Sequence, residues 1–83
     1  MTNKKIVDLS YEGLTTLPNW IKDRTELEYL NLSGNHLKEL PSWLGNLSAL
    51  KELDLSGNQI DQTDATTKRV IAQLIANGTF VSL

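Results

Sequence analysis

The chain has 83 residues, a net charge of −2 with both signs spread along it, one histidine and no cysteine. A core of this size only just holds a fold. With no disulfide and no zinc site to staple it, burial has to do the work. Dispersed charge excludes the clustered basic face that nucleic acid requires, and no run approaches the ~18 apolar residues of a membrane span.

At the N-terminus, "MTNKKIVDLS" places two lysines before only two apolar residues and an aspartate, which is not the pattern of a signal peptide. Together with the absence of cysteine this gives a reducing, cytoplasmic location as the expectation. The N-x-[ST] triplets at Asn31, Asn46 and Asn77 are then expected to carry no sugar.

Fifteen leucines dominate the apolar set. In "LEYLNLSGNHLKEL", 27–40, they stand at 27, 30, 32, 37 and 40, a spacing that fits neither a strand nor a helix. The pattern recurs. A shift of 23 lays Leu50 on Leu27, Leu53 on Leu30, Leu55 on Leu32, Asn58 on Asn35 and Ile60 on Leu37. A second shift of 23 lays Leu30 on Val7, Leu32 on Leu9, Leu37 on Leu14, Leu40 on Leu17, Pro41 on Pro18 and Trp43 on Trp20. The expected units are therefore about 4–26, 27–49 and 50–77, with a terminal strand at 78–83, in one domain.

Each unit begins with a strand whose alternate residues point inward, Leu30 with Leu32 and Leu53 with Leu55. Four parallel strands are predicted near 5–9, 28–32, 51–55 and 79–83. "LPNWI" at 17–21 and "LPSWL" at 40–44 follow the first two, and proline there predicts extended or short 3₁₀ segments. The third unit has no proline. Val70, Ile71, Leu74 and Ile75 share one face and Lys68, Arg69 and Gln73 the other, which predicts a helix over 64–76. Asp61, Thr63 or Asp64 is its candidate cap and Asn77-Gly78 its stop. Val81 and Leu83 then fall on Leu53 and Leu55 at an offset of 28, longer because a helix uses more residues than an extended segment.

"LEYLNLSGNHL" and "LKELDLSGNQI" match L-x-x-L-x-L-x-x-N-x-L, and on these residues the chain resembles the leucine-rich repeat family. The first unit, "KKIVDLSYEGL", departs from the pattern, with Lys4 in a leucine position and Glu12 in the asparagine position. The last unit resembles the ribonuclease-inhibitor type. The resemblance implies an α/β fold, a short solenoid that is right-handed by the crossover rule, with one convex α-helix. Coils of this kind bury their leucines only by stacking on one another. Asn35 and Asn58 are expected to form a ladder of amide bonds between coils, broken at Glu12, and Gly34 and Gly57 to ease the turn.

What the resemblance implies of function is protein binding on the concave strand face. Carried over position by position, that face comprises Ile6, Tyr29, Glu52 and Phe80 before the inward pair, Asp8, Asn31, Asp54 and Ser82 within it, and Ser10, Ser33 and Ser56 after it. Its apolar and acidic character suits a partner with a basic or mixed basic–apolar patch. Four strands of about five residues at ~4.8 Å make a face of roughly 250 Å², well under the ~800 Å² of a standard interface. Tyr11, His36, Gln59 or the tryptophan side would have to join in. Trp20 and Trp43, at equivalent positions, are expected to stack over the convex wall. No phosphate loop, nucleophile elbow or zinc motif occurs, so no enzyme, cofactor or metal is expected. The expected role is an intracellular adaptor or inhibitor. The alternatives are a structural solenoid that self-associates through its open ends, which "MTNKK" would shield at one end, and a module of a larger signalling or effector protein.

Overall fold

The structure, a computed structural model, describes residues 5–83, so Lys4 and most of the "MTNKK" stretch lie outside it. Strands β1 (Ile6–Asp8), β2 (Tyr29–Asn31), β3 (Glu52–Asp54) and β4 (Phe80–Ser82) form one parallel sheet in chain order. Their register is the repeat itself. Val7 pairs with Leu30, Leu30 with Leu53 and Leu53 with Val81. Each ladder runs three residues, shorter than the predicted spans, because the chain turns as soon as its two inward side chains are placed. The ladder bonds continue past the strand ends, as in Leu9 N–H to Asn31 C=O at 2.8 Å and Leu32 N–H to Asp54 C=O at 2.8 Å.

Pro18 and Pro41 each lead into a 3₁₀ segment, Asn19–Asp23 and Ser42–Asn46, which close the first two coils on the convex side. The third coil closes through helix α1, Ala65–Ala76. Of the three candidate caps it is Asp64 whose carboxylate accepts the Thr67 N–H, at 2.9 Å. At the other end Gly78 adopts φ 93°; its N–H bonds Ile75 C=O and the Thr79 N–H bonds Leu74 C=O, a paired 5→2 and 6→1 ending that a left-handed residue permits.

The core is a single column of leucines between the sheet and the convex wall. Leu27, Leu32, Leu37, Leu44 and Leu74 are wholly buried, and Leu30, Leu53 and Leu55 almost so. Two expectations are corrected. Leu83 aligns with inward Leu55 but is half-exposed. Ile75 stands out in solvent, and the buried stripe of α1 is Thr67, Val70 and Leu74 with Ile71 at its edge. Thr67 takes the inner place because its hydroxyl oxygen accepts the Leu40 N–H of the preceding coil at 3.0 Å and its hydroxyl donates to Asp64 at 2.9 Å. The two tryptophans also differ. Trp43 packs against the core, while Trp20 is 43% exposed and carries the Arg24 guanidinium 5.1 Å from its ring centroid.

Candidate functional site

The sheet register sets the concave face out in rows. Ile6, Tyr29, Glu52 and Phe80 are consecutive partners across the four strands, and Asp8, Asn31, Asp54 and Ser82 are the next such row. All four residues of the first row are exposed, Phe80 by 67%. A shallow depression of ≈150 Å³ lies on this face, lined by Ile6, Tyr29, Asn31, Glu52 and Asp54 above Val7 and Leu30.

The second row and the serines beyond it are joined by a turn that repeats in all three full units. Asp8 Oδ1 accepts both the backbone N–H and the hydroxyl of Ser10, at 3.0 and 2.7 Å. Asn31 does the same for Ser33 at 3.0 and 2.7 Å, and Asp54 for Ser56 at 3.0 and 2.6 Å. These are Asx turns that carry the chain out of each strand. Ser10, Ser33 and Ser56 are therefore bonded parts of the turn and only half-exposed. The turn uses one oxygen of each acid, leaving the charge and the second oxygen of Asp8 and Asp54 on the face. The Ser10 N–H, and after it the Ser10 hydroxyl, hold the Asp8 carboxyl below the usual carboxylate range. A fourth turn of this kind, Asp61 with Thr63, precedes α1 and lowers the Asp61 pKa likewise.

At the strand starts the charge is of mixed sign. Glu28 reaches Lys5 at 3.8 Å and Lys51 at 3.6 Å, a ladder of charge one position upstream of the first row. Neither row of the face contains a basic residue, so its own charge is acidic throughout: Asp8, Glu52 and Asp54.

Behind the turns lie the asparagines. Asn35, 1% exposed, donates from Nδ2 to Leu9 C=O and Leu32 C=O at 2.9 Å each, and its Oδ1 accepts from Glu12 N–H at 2.9 Å and Leu14 N–H at 3.0 Å. Asn58 repeats this one coil on, donating to Leu32 and Leu55 C=O and accepting from Leu37 N–H. The first coil supplies backbone groups to this ladder, and the Glu12 side chain takes no part in it. Exposed Tyr11, His36 and Gln59 rim the turns beside the face.

The sequence reading passed over two features. Thr79 aligns with Lys51, yet it is buried and its hydroxyl donates to Leu50 C=O at 2.8 Å. On the convex side a groove of ≈330 Å³ runs between the first two coils, lined by Thr16, Leu17, Asn19, Glu39, Leu40, Pro41 and Trp43. The paired L-P dipeptides were the signal for it, since both coils turn at the same point. No group of three or more His, Cys, Asp or Glu among the described residues has the arrangement to hold a metal.

Residues 25–66, just over half of the chain, match a family model described as Leucine Rich repeats (2 copies). No curated protein and no solved structure matches the chain.

Proposed function

We propose that this chain, which belongs to the leucine-rich repeat family, binds a protein partner on its concave face and acts as an adaptor or inhibitor inside the cell. Domains of this family generally mediate protein–protein interaction. The observation that carries the choice of face is the exposed row Ile6, Tyr29, Glu52 and Phe80 beside the acids Asp8 and Asp54, with no cation in either row. Exposed apolar and aromatic side chains in register are anchors, and a single sign of charge beside them selects the partner. The partner is accordingly a segment with lysine or arginine next to apolar residues. Its footprint extends over Tyr11, His36 and Gln59, because the strands alone offer too little area.

A random-peptide display library selected on the immobilised chain tests this. Enrichment of basic–apolar sequences that no longer bind Y29S/F80S, a variant expected to fold, supports the face. Binders that hold Y29S/F80S with undiminished affinity move the site elsewhere.

A further inference from the structure

Neighbouring coils are not bonded alike beyond the asparagine ladder. Between the second and third coils the backbone stays paired: Gln59 N–H bonds Leu37 C=O at 3.0 Å, Asp61 N–H bonds Lys38 C=O at 2.7 Å, and Leu40 N–H bonds the Thr67 hydroxyl oxygen at 3.0 Å. Between the first and second coils the first of these recurs, as His36 N–H to Leu14 C=O at 2.8 Å. The others do not. Among the described residues no bond joins Lys38 N–H to Thr15 C=O, and Leu17 N–H, the equivalent of Leu40 N–H, has no partner. The third coil meets Leu40 with the Thr67 hydroxyl, whereas the second coil, turning at Pro41, brings no acceptor to Leu17.

The two coils part at this point, and the convex groove of ≈330 Å³ lies in the gap, a volume in the range of ligand sites. Leu17 and Leu40, both buried, form its floor. By the parallel with Leu40, Leu17 N–H points towards the second coil and so into the groove; a buried backbone donor without an acceptor is uncommon. Half-buried Pro41 and Trp43 make one wall. The Trp43 indole N–H, the Thr16 hydroxyl and the Asn19 amide have no hydrogen-bond partner among the described residues, and none of the three is shut off from the surface. Glu39 is the one charged residue along the groove.

We propose that this groove binds a proline-rich segment of another protein, in the polyproline II conformation, with a lysine or arginine beside the prolines. The donors select the backbone. A polyproline II segment makes no internal hydrogen bonds and its prolines have no N–H, so it offers carbonyls and little to donate. The groove answers with a backbone N–H, an indole N–H, an amide and a hydroxyl. A strand would bring as many N–H groups as carbonyls. The Trp43 and Pro41 rings over an apolar floor suit proline rings, and such a segment is already ordered before it binds. Glu39 selects the neighbouring cation. The two prolines of these 83 residues, Pro18 and Pro41, are built into the coils and do not supply the segment. The groove opens on the convex wall, across the leucine core from the strands, so it stands or falls independently of the concave-face partner proposed above.

The probe is a short peptide of prolines and leucines in P-x-x-P spacing with one terminal arginine. It is titrated into W20F, in which Trp43 is the sole tryptophan. Trp43 fluorescence is expected to shift and saturate. E39Q should weaken binding about two- to fivefold, the effect of one exposed charge pair. T16R changes an exposed side chain and sets a bulky cation in the groove, so it should weaken binding at least tenfold with the melting temperature unchanged. Y29S/F80S should bind the peptide as tightly as the unaltered chain. No saturable shift up to millimolar peptide, equal binding of a peptide with alanine for every proline, binding that neither T16R nor E39Q weakens, or loss of binding in Y29S/F80S would each overturn the proposal.

Discussion

The ring of Tyr11 occupies the space a side chain on Gly34 would need: a Cβ built there would meet the ring at three carbons. The two residues are equivalents, one repeat apart. Gly34 and Gly57 hold φ of 71° and 72°, and Tyr11, in the same place in the first unit, holds φ 55° without being glycine. The first coil thus keeps the left-handed turn of the other two, at the strain a side chain adds there.

Gly34→Ala is expected to cost more than Gly13→Ala. Both positions have positive φ, but nothing lies within 4 Å of a Cβ on Gly13. Strain of the left-handed conformation accounts for roughly 1–2 kcal/mol at either site. The excess at Gly34 reports the Tyr11 ring and disappears in a Y11G background. Urea melts of the four variants give the cycle.

Asn35→Ala is expected to cost about 3 kcal/mol, because it leaves the Leu9 carbonyl and the Glu12 and Leu14 N–H groups without their partner, while the Leu32 carbonyl keeps its bond from Asn58. Asn58→Ala should cost less, about 2 kcal/mol, since Asn58 accepts one N–H and is half-exposed. Equal losses at the two sites would mean that the ladder is uniform and that burial does not grade it.

What was legible in the sequence was what the repeat enforces. An offset of 23 aligns inward leucines, and stacked coils can satisfy that alignment only in one register, so the rows of the concave face followed from it. The helix was legible from its apolar spacing, with Asp64 among its candidate caps. Missed were places where one coil departs from the others for a local reason. Thr67 joins the buried stripe because its hydroxyl accepts the Leu40 N–H, a need that hydrophobicity alone does not show, and Ile75 lies outside that stripe. Leu83 aligns with Leu55 at an offset of 28, yet alignment alone does not bury a side chain, and Leu83 is half-exposed. The serines of the face also hold its turns, each bonded to the acid or amide two positions earlier. That i, i+2 spacing was visible in "DLS" and "NLS" and was not weighed.

Thr67→Val tests the first of these. It keeps the shape and removes the acceptor, leaving the Leu40 N–H buried and unpaired, for an expected loss of about 1–3 kcal/mol. A loss within a few tenths of zero in a urea melt would mean that water or a shifted backbone replaces the hydroxyl.

Acid should weaken the fold through the Asx turns. The turn bonds lower the pKa of Asp8 and of Asp61 in the folded chain. A lowered folded-state pKa contributes stability that is present above the unfolded value of about 3.9 and is lost as pH falls through the folded one. Both carboxylates are exposed, so the drop in melting temperature below that pH is expected to be modest. Asp8→Asn keeps an amide oxygen in the turn, as Asn31 does naturally, and should remove its share of the acid-induced drop.

The same isostere separates structure from recognition at the centre of the face. Asp54 Oδ1 bonds Ser56 while the rest of its carboxylate lies on the depression with Glu52 and Tyr29. Asp54→Asn preserves the turn and removes the charge, so thermal melting at neutral pH should move little. Binding of a basic–apolar peptide should fall about three- to tenfold, the effect of losing one partly screened charge pair worth roughly 1 kcal/mol. Glu52→Lys, on an exposed side chain between Tyr29 and Phe80, should weaken the same peptide further and favour acidic sequences instead. Titrations at low and high salt give the decisive comparison. The wild-type affinity should fall with salt, and the E52K affinity for the basic peptide should fall less or rise. An affinity that neither substitution changes, at either salt, would place the partner away from the strands even if Tyr29 and Phe80 proved necessary for it.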